Sequence, residues 1–153
     1  MIRVLFVCLG NICRSPMAEG VFQHKVKEAG LSNKITTDSA GTGHWHIGKP
    51  PHQGTRQILE VNGIAYSHRA RQIAEEDLDA FDYILTMDEM NWYEVQILGR
   101  GTAKIARFLD YAPQFGIQEV PDPYYTGGFG EVYKLVDAAA TGLLTALRTE
   151  YQL

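Results

Sequence analysis

Eight residues near the amino terminus, Cys8-Leu9-Gly10-Asn11-Ile12-Cys13-Arg14-Ser15, combine a thiol, a guanidinium and a hydroxyl within one short loop. The preceding run IRVLFVC (residues 2–8) is short, apolar and β-branched, which predicts a strand buried on both faces. A periodic segment follows from about Met17, so the loop falls between a strand and a helix. There its backbone N–H groups can curl around an oxyanion, helped by the positive end of the helix. Arg14 adds a fork of donors for two phosphate oxygens. The same field favours Cys8 as a thiolate nucleophile, with Ser15 able to donate to the sulfur. Gly10 and Asn11 suit backbone conformations that most residues resist.

The loop lacks the Gly-Lys-Ser or Gly-Lys-Thr ending of a nucleotide-binding P-loop. Four residues separate Cys8 from Cys13, so the pair is not a Cys-x-x-Cys redox motif. Two readings stay open for Cys13: core packing, or a partner that traps oxidised Cys8 as a disulfide. Cleaving a phosphate monoester also calls for a proton donor at the leaving oxygen. Asp122, in VPDPYY between two restricting prolines, is the best placed by sequence. Tyr124 and Tyr125 beside it, and Trp45 in GTGHWHIG, offer aromatic walls for a phenyl leaving group.

Other residues have a structural reading beside a functional one. Asp88 reads first as a helix cap, with support at the sheet edge as the alternative. Ser39 is either a strand-end serine or a prop for Asn11, and His68 either a satisfied surface histidine or a group that orients the loop. His44, His46 and His52 permit a metal reading, which ranks low because no carboxylate partners complete the set and the chemistry needs no metal.

The elements that must position these groups follow from periodicity. Ser15 is expected to cap the first helix, with Pro16 in its first turn and Gly30 as its stop. Further strands are predicted at Ile35–Ala40, Tyr83–Met87 and Lys104–Leu109. Helices are predicted over Thr55–Val61, from Asp88 to about Leu98, and from Phe129 to about Leu147. The apolar stripe of the Thr55–Val61 helix runs through Ile58, Leu59 and Val61. Gly41–Gly54 and Ala112–Gly130 remain as long irregular loops. Strands alternating with helices imply a parallel α/β sheet with ligand chemistry at the carboxyl ends of its strands.

The 153 residues suffice for one domain with a full core. With 45% hydrophobic and 21% charged residues, the composition is that of a globular protein. A formal charge of −4 argues against a nucleic-acid surface while leaving room for one cationic pocket. No signal peptide or membrane-spanning apolar run is visible, so no membrane insertion is expected and the expected compartment is the cytoplasm. Two cysteines make neither a disulfide framework nor a zinc cluster.

Five segments together resemble the low-molecular-weight protein tyrosine phosphatases: VCLGNICRSPMAE (7–19), DSAGTGHW (38–45), SHRARQI (67–73), DYILTMDEMN (82–91) and PDPYYTGG (121–128). They occur in the family's order across nearly the whole chain. The resemblance implies a three-layer α/β/α fold with a four-stranded parallel sheet and the phosphate loop, Leu9 to Ser15, after the first strand. It also implies hydrolysis of protein phosphotyrosine through a phosphocysteine, without cofactor or metal. By that similarity Cys8 is the nucleophile, Arg14 the phosphate clamp and Asp122 the general acid. Asn11, Ser15, Ser39 and His68 shape the loop, Trp45, Tyr124 and Tyr125 line the cleft, and Cys13 matches the partner of the oxidised nucleophile. Arsenate reductases of this fold use further cysteines in a later segment, and residues 74–98 contain none. Arsenate reduction on this fold, disfavoured by that absence, and a silent phosphotyrosine-binding protein are the two alternatives. Oligomeric state is not legible.

Overall fold

The computed structural model describes residues 1–153. Strand β1 (Ile2–Cys8) pairs in parallel with β2 (Ile35–Gly41) on one side and β3 (Tyr83–Thr86) on the other, and β3 pairs with β4 (Lys104–Arg107). The order β2-β1-β3-β4 makes β1 a central strand. The chain leaves β1 to one side and later returns to its other side, so the crevice at the carboxyl end of β1 is a topological switch point. Cys8 ends that strand.

The alternation of side chains along β1 explains why its whole length is apolar. Ile2, Val4, Phe6 and Cys8 enter the larger core with α1 (Arg14–Glu28) and α6 (Phe129–Tyr151), where Phe6 meets Phe22 and Phe108 edge to face. Leu5 and Val7 point the other way, into a cluster with Ile73, Leu78, Ile84 and Val95. That second face is covered by the short α3 (Asp77–Ala80) and by α4 (Glu89–Leu98). Helix α2 (Gln53–Val61) packs beside α1 and α6. The outcome is the expected parallel sheet between two helical layers.

Several local expectations change. Helix α1 begins at Arg14 with Cys13 in the N-cap position, so Ser15 does not cap it. Its hydroxyl is turned instead toward Cys8 and Asn11. In α2, Leu59 is buried but Val61 is 83% exposed, so Val61 is not part of the packing stripe. His52 caps that helix by accepting from the Gly54 N–H. Strand β4 stops at Arg107, because Phe108–Tyr111 close into a 3-10 turn that buries Phe108 and Leu109. The second irregular segment holds another 3-10 turn (Pro113–Phe115) and the one-turn α5 (Pro123–Thr126), capped by Asp122. Asp88 does cap α4, in a capping box with Asn91. No helix is long and apolar enough to cross a membrane.

Helix α6 reaches the sheet because Gly142 lets it lie against the first 3-10 turn. A Cβ at Gly142 would stand 1.9 Å from the Tyr111 carbonyl oxygen, a backbone atom that no rotamer can move. Alanine should gain up to about 1 kcal/mol in helix propensity, while overpacking costs about 1–3 kcal/mol. The clash should win: Gly142→Ala is expected to lower the urea unfolding midpoint, whereas an unchanged or raised midpoint would show that α6 shifts freely.

Candidate active site

The loop from Cys8 to Ser15 is shaped around one residue. Asn11 has φ of 57°, in the left-handed region where asparagine is among the few tolerated side chains. Its amide makes four hydrogen bonds. Nδ2 donates to Ser15 Oγ (2.9 Å) and Ser39 Oγ (3.0 Å), and Oδ1 accepts from His68 Nε2 (2.8 Å) and the Arg71 N–H (3.0 Å). This ties the loop to β2 and to the segment after α2. Since Oδ1 can only accept, His68 carries a proton on Nε2. Its Nδ1 lies 3.9 Å from both Glu19 and Asp38.

Cys8 is 2% exposed, and its Sγ accepts from the Asn11 N–H at 3.3 Å. Ser15 Oγ sits 3.0 Å from the same sulfur. Because that oxygen already accepts from Asn11, its own hydrogen is free to point at Cys8. The sulfur thus faces two donors near the amino end of α1.

Arg14 lies inside the site with its side chain 3% exposed. Nη1 donates to Asp88 Oδ2 (2.6 Å) and to the Val120 carbonyl (3.0 Å), and Nη2 reaches Asp122 Oδ2 at 3.5 Å. Burial alone would lower the guanidinium's pKa. Cys8, Asp88 and Asp122 around it outweigh that and hold it above its ordinary value. Asp88 caps α4 as expected, through Oδ1 and the Asn91 N–H, and its Oδ2 also fixes Arg14, a contact the sequence reading did not name.

Cys8, Arg14, Trp45, Asp122, Tyr124 and Tyr125 line one cleft of ≈ 330 Å³. Leu9, Gly10, Ile12 and Cys13 complete the side formed by the loop. Trp45 stacks on His44, and Tyr124 packs edge to face on Tyr125. Ser39 and His68 stand behind the loop rather than in the cleft, in contact with Asn11.

Sequence reasoning missed His46 as a cleft residue. Its ring lies over Gly10, where an added Cβ would come within 2.9 Å of it, and tilts against Tyr124 at 5.9 Å. A glycine two residues after a predicted nucleophile was the available signal, since a close approach needs a missing side chain. His44, His46 and His52 do not converge on a point. The grouping with metal-like spacing is Glu19, Asp38 and His68, whose ligand atoms lie within 4.8 Å. These residues already have partners elsewhere: Glu19 accepts from Tyr66 and Thr37, Asp38 from Arg71, and His68 donates through Nε2 to Asn11 while its Nδ1 faces the two carboxylates at 3.9 Å.

A strand, an anion-shaped loop and a helix N-terminus, with a cysteine under the loop and an arginine and aspartate above it, define a cysteine-dependent phosphatase of the α/β class. The family model described as low molecular weight phosphotyrosine protein phosphatase matches residues 3–153, and the chain belongs to that family. It is 50% identical to the low molecular weight protein-tyrosine-phosphatase YfkJ of Bacillus subtilis over 100% of both chains. The crystal structure of YfkJ superposes with a TM-score of 0.95, covering 98% of this chain and 96% of that one. A low molecular weight phosphotyrosine protein phosphatase of Schizosaccharomyces pombe is 48% identical over 89% of this chain and 91% of its own. The Drosophila arginine phosphatase DARP is 32% identical, with a TM-score of 0.91 over 96% of this chain and 98% of that one. Cysteine-based, metal-independent phosphotyrosine phosphatase activity is thereby the activity of this chain.

Cys13 differs sharply from Cys8 in its surroundings. Burial, reinforced by the negative neighbours Cys8 and Asp122 and only partly opposed by Arg14, pushes its thiol up to about 12. The thiol is neutral at physiological pH. A folded-state value above the unfolded one means that the native protein keeps a proton which the unfolded chain releases, so stability is full below about 9 and falls as pH rises toward about 12. Urea midpoints should therefore decline between pH 9 and 11 in wild type and decline less steeply in Cys13→Ala. Identical slopes would show that Cys13 does not carry the effect.

Proposed function

We propose that residues 1–153 act as one phosphotyrosine phosphatase domain in which Cys8 is the nucleophile, Arg14 the phosphate clamp and Asp122 the general acid. The observation that carries this reading is the joint presence of Cys8 Sγ, the Arg14 guanidinium and the Asp122 carboxyl in one aromatic-walled cleft. Cys8 Sγ attacks phosphorus and forms a sulfur–phosphorus bond as the phosphorus–oxygen bond to the tyrosyl group breaks. Asp122 gives its proton to the departing oxygen. Arg14 and the loop N–H groups stabilise the charge on the equatorial oxygens. In the second step Asp122, now a carboxylate, takes a proton from water as that water attacks phosphorus. Inorganic phosphate leaves and the Cys8 thiolate is restored.

Tyr124, Tyr125 and Trp45 support the preference for an aryl leaving group. A phenyl ring gains apolar burial and stacking between such walls, and the shorter side chain of phosphoserine would not span them. Asn11, Ser15, Ser39 and His68 act as positioning residues, through the bonds that hold the loop. The similarity to an arginine phosphatase makes phosphoarginine the informative competing substrate. Its guanidinium leaving group is planar but cationic, and Asp122 is the one carboxylate among the residues that line the cleft.

Cys8→Ser is expected to reduce aryl-phosphate turnover by on the order of 10³-fold or more in chelator-treated buffer. Asp122→Asn should slow substrates with poor leaving groups by about 10²–10⁴-fold and activated aryl phosphates much less. Activity surviving Cys8→Ser would reject the nucleophile, equal losses across leaving groups would reject the acid, and faster turnover of phosphoarginine than of phosphotyrosine would reject the substrate class.

Cys13 supports a protective role for the oxidised enzyme. Peroxide converts Cys8 to the sulfenic acid; Cys13 sulfur then displaces hydroxide, which leaves as water with the Cys13 proton, giving a disulfide that a thiol reductant reopens. Because the Cys13 thiol is held up at about 12, closure should accelerate as pH is raised from 7 to 9. Activity after peroxide and then reductant should recover in wild type and recover less in Cys13→Ala; equal recovery in both proteins would exclude this role.

A further inference from the structure

One stretch of chain beside the cleft is nearly free of acidic residues. Between Asp38 and Glu75 the only acidic residue is Glu60, although the chain as a whole has a net charge of −4. That stretch supplies the bank of the cleft bearing Trp45 and His46, then runs through Lys49 to a separate groove of ≈ 450 Å³. The groove is lined by Pro50, Pro51, Arg56, Tyr66 and Ser67, with His68 and Arg69. Its position relative to the active-site loop is fixed by backbone bonds. Gly48 N–H donates to the Ala70 carbonyl, Ala70 N–H to the Lys49 carbonyl and His52 N–H to the Ile12 carbonyl.

The two arginines differ from the others that ring the site. Arg14 is bound to Asp88 and Asp122, and Arg71 to Asp38 and Asp77. Neither Arg56 nor Arg69 forms an ion pair, even with Glu60, one turn beyond Arg56 on α2. Arg69 makes one long bond, from Nη1 to the Gly48 carbonyl at 3.3 Å, and Arg56 makes no side-chain bond. His68 adds little to the field because Glu19 and Asp38 stand behind it. Two unpaired guanidinium groups therefore face a groove with no carboxylate in its lining and a rigid proline wall, which suits a carboxylate-bearing chain.

We propose that this groove is a docking site for acidic residues flanking the phosphotyrosine of the substrate protein, with Arg56 and Arg69 as its specificity determinants. The inference rests on the phosphotyrosine reading of the cleft. The bound polypeptide would run from the cleft past His46 and Lys49 and bring its carboxylates to the two arginines. Each contact is a partly exposed, charge-assisted pair, weakened by salt.

The test compares two phosphotyrosine peptides of equal length, one with acidic and one with neutral flanking residues, and a small aryl phosphate that cannot reach the groove. Wild type should prefer the acidic peptide by about 3–10-fold in kcat/KM, mostly through KM, with the preference shrinking as salt is added. Arg56→Gln combined with Arg69→Gln should abolish the preference and leave aryl-phosphate turnover unchanged. Since Arg69 also touches the Gly48 carbonyl, Arg56→Glu is the second variant, and it should disfavour the acidic peptide without disturbing the loop. Equal use of both peptides by wild type, or a preference that survives both variants, would overturn the docking site while aryl-phosphate turnover upholds the cleft. Wild type that turns over none of the three substrates would instead overturn the catalytic reading beneath it.

Discussion

The left-handed backbone at Asn11 is the constraint on which the site depends. A non-glycine residue there is costly unless the fold over-determines it, and the four bonds of the Asn11 amide do so from three different parts of the chain. Turning the backbone at this point sends the Asn11 N–H toward Cys8 Sγ. It also frees the Ser15 hydroxyl hydrogen for the same sulfur. The loop is thus preorganised for an anion before any ligand arrives, so little reorganisation is left to oppose binding or the transition state.

The supports of Asn11 extend outward into a buried polar network. His68 stands between Asn11 and the Glu19 and Asp38 carboxylates, and Tyr66 donates to Glu19 while contacting Ser39. Burial beside Glu19 pushes the Tyr66 hydroxyl well above its ordinary pKa, so it serves as a donor throughout the neutral range. Arg71 joins Asp38 to Asp77, the first residue of α3. In a low-dielectric interior such a network is rigid only when every member is satisfied, and here each named group has its partner. The rigidity of a loop at one end of the sheet is therefore borrowed from residues far away in sequence, Arg71 and Asp77 among them.

Much of this was legible because local signals agree. The apolar run of β1, its abrupt end at Cys8 and the glycine stop of α1 each follow from short-range rules, and the parallel sheet follows from alternation. Ser15 misled for a physical reason: a serine before Pro16 is a good cap, yet here it lies inside the first turn and its hydroxyl is taken by buried partners, Cys8 and Asn11. Val61 misled because three apolar residues can suggest a stripe when Leu59 is buried, Ile58 packs partly against the core and Val61 faces solvent. Asp88 and His46 show the limit from the other side. Asp88 caps α4 with one oxygen and grips Arg14 with the other, a second duty that comes from residues 74 positions apart meeting in space. The position of His46 over Gly10 depends on the path of a long loop, which periodicity does not encode.

The two carboxylates at Arg14 are not equivalent, and the difference bears on how the site handles substrate. Asp88 holds Nη1 at 2.6 Å and is itself fixed by the capping box, so it acts as a permanent anchor for the guanidinium plane. Asp122 reaches Nη2 only at 3.5 Å, from a one-turn helix whose flanking tyrosines are largely exposed. A phosphate dianion entering the loop would compete for Nη2 and displace the weaker partner. The contact it breaks is the one Asp122 Oδ2 makes to Arg14; Oδ1 stays on the Tyr124 N–H as the cap of α5, so Oδ2 is the oxygen released to meet the leaving group. Substrate charge would then arm the acid, while Asp88 keeps the clamp in register throughout.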